Sequence, residues 1–215
     1  MIDCVVSFSG GVESTALLEY LKNKELKVVA VYSHFPNSNT QAKQIPEHIE
    51  KICNLLDVEL IVHTHQDYGL KKTQYFYSTR HWILAMCNAS LRFPDVKNFY
   101  WGANCGMLEF DDGLGDCSIV DPTKYQIQNV FEALQGIPRK VEGYHDEEMK
   151  YFDGSYKEHT PWKTKQTISA PLVGWTKRQQ YEYIREDIKE LVQSCITFNN
   201  CGKCTKCEEF KLLNV

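Results

Sequence analysis

Cys4-Val5-Val6-Ser7-Phe8-Ser9-Gly10-Gly11-Val12-Glu13-Ser14-Thr15 decides the fold. Its first five residues are mostly apolar and β-prone and read as a short buried strand. Two glycines interrupt that strand, and a helical pattern takes over directly after them. From Thr15 to Leu21, Leu17, Leu18 and Leu21 fall on one side of a helix, and Lys27 to Tyr32 (Lys-Val-Val-Ala-Val-Tyr) follows as a second apolar strand. Strand, helix, strand is a βαβ unit. Such crossovers are parallel and right-handed in nearly all cases, so the expected class is α/β with a doubly wound parallel sheet.

The alternation continues outward from that unit. Gln41 to Leu56 places Ile45, Ile49, Ile52 and Leu56 at helical spacing, and Val58 to Thr64 returns as a third strand. Thr79 to Leu91 reads as another helix, and Asn98-Phe99-Tyr100-Trp101-Gly102 as a fourth strand ending in glycine. Ile168 to Leu172 is strand-like, and Thr176-Lys177-Arg178-Gln179 has the spacing of a capping box opening a helix to about Val192. Residues 139–160 are polar and poor in aliphatics: a hairpin, a lid or an ordinary surface loop inserted into the main unit. The expected organisation is an α/β domain over residues 1–192 and a small C-terminal segment over 193–215.

A chain of 215 residues with 43% hydrophobic and 12% aromatic content can bury one full-sized core. No apolar run approaches the roughly 18 residues a membrane span needs. The formal net charge of -4 provides no broad attraction to nucleic acid or to an anionic membrane, which favours a small-molecule substrate. Met1 to Val6 has neither a basic stretch nor a long apolar one, so the expected compartment is the cytoplasm.

Between a strand and a helix, the segment Ser9 to Thr15 has what a polyphosphate requires. Glycines let the backbone approach closely, hydroxyls donate hydrogen bonds, and a helix N-terminus presents N–H groups and a positive dipole end. There is no Gly-x-x-x-x-Gly-Lys-Ser/Thr and no Gly-x-Gly-x-x-Gly, so the loop is neither that of kinases and GTPases nor a dinucleotide fingerprint. The plainer reading is a strand-to-helix turn in which glycine is needed for conformation and Ser14 or Thr15 caps the helix.

Nine cysteines are an odd number, and three crowd into Cys201-Gly202-Lys203-Cys204-Thr205-Lys206-Cys207, with Cys195 just before. In a reducing compartment that crowding points to metal rather than to disulfides. Four thiolates suit tetrahedral zinc with no position left for water, hence a structural metal that staples the C-terminal tail. An iron–sulfur cluster uses the same ligands, although no cluster-specific spacing matches. Cys4, Cys53, Cys87, Cys105 and Cys117 stand singly and read as small buried hydrophobes, with Cys105 and Cys117 flanking the expected pocket.

Ser-Gly-Gly-x-Asp-Ser after a first strand is the pyrophosphate loop of the adenylating ATP pyrophosphatases, and this chain resembles it with Glu13 in place of Asp. Together with the terminal cysteines, the chain resembles the 7-cyano-7-deazaguanine synthase family. The likeness also takes in Tyr32, Trp101-Gly102-Ala103-Asn104, Ala170-Pro171-Leu172 and Trp175-Thr176-Lys177. The resemblance implies the adenine-nucleotide α-hydrolase fold and an AMP-forming C–N ligase of queuosine biosynthesis. Such an enzyme uses ATP, Mg2+ and ammonia to turn 7-carboxy-7-deazaguanine into the nitrile. It implies that Phe8, Ser9, Gly10, Gly11, Val12, Glu13, Ser14, Thr15, Ala16, Leu17 and Leu18 cradle ATP, and that Cys195, Cys201, Cys204 and Cys207 bind Zn2+. It further implies a homodimer.

Three features depart from that family: Glu13, the stretch 139–160, and the segment around Gly115-Asp116-Cys117. They leave room for a relative that couples the same acid to another amine, even one on a protein. Lys71 and Lys72 are candidates to steady phosphate charge, or simply solvated. Two further alternatives are a tRNA-modifying ATP pyrophosphatase and a non-catalytic nucleotide-binding module.

Overall fold

A computed structural model describes residues 1–34, 36, 44–64, 85–103, 166–193, 202–203 and 205–213. Five strands, β1 (Cys4–Ser7), β2 (Val28–His34), β3 (Glu59–Thr64), β4 (Asn98–Trp101) and β5 (Thr167–Ser169), form one sheet in the order β3-β2-β1-β4-β5. Each pairing is parallel, with Val5 opposite Val29 on one side and Phe99 on the other. The fold is α/β, as the sequence predicts.

Alternation along the strands divides the interior into two cores, because successive strand side chains point to opposite faces. Cys4, Val6, Val28, Ala30 and Tyr32 face one way. There they meet Ala16, Leu17, Leu18 and Leu21 of helix α1 (Val12–Lys22) and Ile49, Ile52 and Cys53 of α2 (Glu47–Leu55). Val5, Val29, Val31, Phe99 and Ile168 face the other way, against Ala85, Met86 and Ala89 of α3, the helical residues 85–92. Both sheet faces are covered, and this is why the strands read as continuous apolar runs. No helix among the described residues is long and apolar enough to cross a membrane.

Three boundaries differ from the sequence reading. Helix α2 starts at Glu47 rather than near Gln41, since Pro46 is extended (φ -61°, ψ 130°) and Ile45 precedes it outside the helix. A residue before proline is pushed away from helical geometry by the ring. Strand β5 ends at Ser169, and Pro171 opens a turn in place of further strand.

The helix expected to run from Thr176 to Val192 is two, α4 (Lys177–Tyr183) and α5 (Glu186–Lys189), separated by an extended Ile184 (φ -68°, ψ 135°). The break turns the Arg185 amide onto the Glu19 carboxylate at 3.0 Å. Glu19 is 3% exposed, and burial raises its pKa, so the amide compensates a carboxylate held out of water. The expected capping box is present: Thr176 accepts from the Gln179 amide at 3.1 Å, and Gln179 accepts from the Thr176 amide at 2.9 Å. Residues 139–160, the segment around Cys117, Cys105 and the lysine pair Lys71 and Lys72 lie outside the described residues, as does the start of the helix expected from Thr79.

Candidate functional site

Strand β1 has β2 on one side and β4 on the other, and the chain runs away from it in both directions. Ligands of open α/β sheets collect at such a switch point, outside the carboxyl ends of the strands. The residues there are Ser9 to Glu13, leaving β1, and Gly102, leaving β4.

Ser9 to Ser14 form a tight knot of hydroxyls. The Ser9 amide donates to Ser14 Oγ at 3.2 Å, the two hydroxyls share a bond of 3.1 Å, and Ser14 Oγ donates to the Gly11 carbonyl at 3.3 Å. Gly11 caps α1 without any side chain to satisfy the first-turn amides, and the first intrahelical bond to its carbonyl comes from Thr15 at 3.0 Å. A helix leaves its leading N–H groups without carbonyl partners of its own, and here the N-cap residue Gly11 has no side chain to substitute for one. That is the chemistry of an anion site.

Two glycines make this approach possible, each for a separate reason. Gly10 sits at φ +74°, and a Cβ there would lie 2.6 Å from Ile49 Cδ1 and 2.7 Å from His48 Nε2. Gly102 allows the end of β4 to rest on the first turn of α1, where a Cβ would meet the backbone of Glu13 and Ser14 at 2.6 Å.

Of the expected ATP-cradling residues, Ser9 is exposed and Glu13 half-buried, with Gly10, Gly11 and Ser14 beneath them. Phe8, Val12, Ala16, Leu17 and Leu18 are sealed in the core. Their side chains therefore hold the loop from behind rather than face a ligand. Thr15 is also fully buried, with its hydroxyl unpartnered among the described residues.

Glu13 points to Lys177, whose ammonium lies 3.2 Å from Glu13 Oε1 and 2.6 Å from Glu209 Oε2. Lys177 is fully buried. Burial pulls its pKa down, but the two carboxylates together outweigh burial and leave it above the ordinary lysine value. Glu209 belongs to helix α6 (Thr205–Lys211), which also bears Cys207, so the lysine ties the cysteine-bearing helix to the Ser9–Ser14 loop. A second tie runs through the backbone: the Gln193 amide donates to the Gly10 carbonyl at 3.0 Å.

Cys207 is half-buried, and Gly202, in left-handed backbone at φ +69°, accepts from Lys211 Nζ at 2.9 Å. Gly202 is thus held against the last turn of α6. Cys195, Cys201 and Cys204 lie outside the described residues, and among the described ones no group of three metal-binding side chains occurs. Cys4, Cys53 and Cys87 are buried thiols, as expected, each pushed up to about 12 by burial. At that value they are poor nucleophiles.

Sequence reasoning did not single out His48 or Glu209, and it met Lys177 only as part of a helix start and of the resembling stretch Trp175-Thr176-Lys177, with no role given to it. His48 is 5% exposed with Nε2 unpartnered among the described residues, and burial lowers its pKa to about 4. Below about pH 4 both folded and unfolded chains hold this proton; between there and about 6.5 only the unfolded chain does. Stability is therefore expected to fall as pH drops from about 6.5 towards 4. The His48→Gln variant should show a shallower slope in that window by urea unfolding, and an unchanged slope would contradict the assignment.

No protein-family model matches the chain, and no curated protein matches it in sequence. Solved structures do share its fold. One is the U34-tRNA thiolase NcsA from Methanococcus maripaludis with its [4Fe-4S] cluster, with a TM-score of 0.50 and 13% sequence identity. That match covers 99% of this chain and 70% of the thiolase. At that identity the similarity is one of fold.

Proposed function

We propose that the chain is an ATP pyrophosphatase that adenylates a carboxylic acid, with 7-carboxy-7-deazaguanine as the acid and ammonia as the nucleophile. The observation that carries this reading is the start of α1 at the sheet's switch point, with glycine as its N-cap and the Ser9 and Ser14 hydroxyls clustered beside it, an arrangement suited to departing phosphates. The choice of acid rests on the sequence resemblance.

A carboxylate oxygen of the acid attacks the α-phosphorus of ATP, and pyrophosphate leaves with the electrons of the broken P–O bond. Ammonia then adds to the acyl carbon, AMP departs, and the proton released goes to solvent, giving the amide. The amide oxygen then attacks the α-phosphorus of a second ATP, a second pyrophosphate leaves, and departure of AMP with loss of the two amide protons to solvent gives the nitrile. The loop's share is to hold the charge building on pyrophosphate, with magnesium as the counter-ion of ATP. Lys177 keeps Glu13 fixed beside that charge.

The thiolates of Cys195, Cys201, Cys204 and Cys207 are a donor set suited to zinc, which when bound supplies a cross-link rather than a reactive centre. The C-terminal segment 193–215 is then a module docked on the α/β domain through Gln193 and Glu209.

AMP release from ATP and magnesium is expected only when 7-carboxy-7-deazaguanine and ammonia are both supplied for full turnover, with mass spectrometry finding nitrile. An amide or a protein adduct would shift the acceptor to another amine. A second reading, ATP-dependent modification of tRNA, draws on the likeness of fold to a tRNA thiolase. It predicts AMP release with bulk tRNA in place of the acid, and a gel-mobility shift at moderate salt. Nucleotide binding with no AMP from either substrate would leave a binding module.

A further inference from the structure

The buried ring of His48 has no use in packing alone. It stands in the first turn of α2, and its Nε2–Cδ2 edge faces Gly10, where an added Cβ would lie 2.7 Å and 2.8 Å from those two atoms. Nε2 is buried and unpartnered among the described residues, in a residue 95% out of contact with solvent. A buried polar atom left unsatisfied is costly and rare, and a leucine would fill the same space without that cost.

Neighbouring charge is consistent with a ligand that is an anion. Helix α1 begins just after Gly10 and the first turn of α2 packs on it, and neither N-cap residue, Gly11 or Pro46, supplies a side-chain cap. Each helix contributes a positive dipole end. The acidic groups there are Glu13, held by Lys177, and Glu47 and Glu50 on α2, of which Glu47 is exposed and paired with Lys51 at 2.7 Å.

We propose that His48 Nε2–H is a hydrogen-bond donor to a phosphate oxygen of the nucleotide held at the Ser9–Ser14 loop. The proposal rests on the nucleotide reading of that loop. It makes His48 a phosphate-binding residue contributed by the second βα unit, alongside the amides contributed by the first. The neutral ring suits the role, since it donates without drawing a second counter-ion into the core.

Titration calorimetry with ATP·Mg2+, inorganic pyrophosphate and adenosine tests this on the wild type, His48→Phe and His48→Gln. His48→Phe should weaken ATP and pyrophosphate by about tenfold, the size of a lost charge-assisted bond, and leave adenosine unchanged. His48→Gln, which keeps an N–H donor, should recover part of the loss. Equal weakening of ATP and adenosine, or no weakening, would overturn the proposal.

A readout on the unmodified protein guards against a variant that fails to fold. The imidazole 15N signals of the wild type, with His48 identified by its absence in His48→Gln, should shift on adding pyrophosphate, and a static signal overturns the assignment. If the wild type binds neither ATP nor pyrophosphate, the nucleotide reading itself fails. Wild-type binding with an unaffected His48→Phe variant sinks only the histidine's part.

Discussion

Replacing Lys177 with methionine is expected to lower the unfolding free energy by about 3 kcal/mol at pH 7. Removing one member of a buried ion pair costs about 3–5 kcal/mol, because a charge is left without compensation. Here two carboxylates lose the same cation. Glu13 and Glu209 both face the lysine nitrogen, so its removal brings two carboxylates together without the cation between them. Their side chains are 20% and 22% exposed, and the water they reach places the effect at the low end of that range.

The pH dependence distinguishes this mechanism from a simple packing defect. Without Lys177 the two ionised carboxylates repel each other, so the variant's deficit should be full at neutral pH and shrink as pH falls through the carboxylate range. Adding Glu13→Gln and Glu209→Gln should restore part of the stability at pH 7. Urea midpoints at pH 7 and pH 4.5 measure both effects, and a Lys177→Met protein within about 0.5 kcal/mol of the wild type would refute the linkage. The same ammonium joins α1 to the helix bearing Cys207.

The sheet and the loop were legible in the sequence for one physical reason. Both faces are covered, so β1, β2 and β4 are short apolar runs, and the only strong break among the first thirty residues is Gly10-Gly11. Helix ends were less legible. Pro46 signalled the start of α2, but the apolar spacing of Ile45 ran across it; the break at Ile184 carries no glycine or proline and exists because the Arg185 amide satisfies Glu19 across the core.

The site was legible only where it is local. Ser9 to Ser14 is one contiguous motif, whereas Lys177 and Glu209 reach it from 164 and 196 residues beyond Glu13, and His48 from 38 beyond Gly10. Nothing in a lysine after a helix cap reports that it is sealed between two acids. The histidine in Pro46-Glu47-His48-Ile49 sits at an ordinary helix start, and its burial follows from the α2 packing on Gly10.

Gly102→Ala should reduce ATP-dependent AMP formation by a factor on the order of one hundred while leaving most of the fold in place. The added methyl would lie 2.6 Å from Glu13 C and Ser14 N, and 2.9 Å from Glu13 Cβ. Two of those three atoms are backbone, so no rotamer change relieves the contact; the first turn of α1 must move away from the end of β4. Overpacking of this kind costs about 1–3 kcal/mol in stability. The effect on chemistry is larger, because displacing the loop amides by even about 1 Å from the phosphates can cost on the order of a hundredfold in rate. Gly174 provides the control, since a Cβ there meets nothing within 4 Å, and Gly174→Ala should be close to neutral. Stability by circular dichroism and AMP release measured side by side separate the outcomes. Equal activity in the two alanine variants would mean that β4 does not brace the loop, and that the close approach at Gly102 is packing without consequence for the nucleotide.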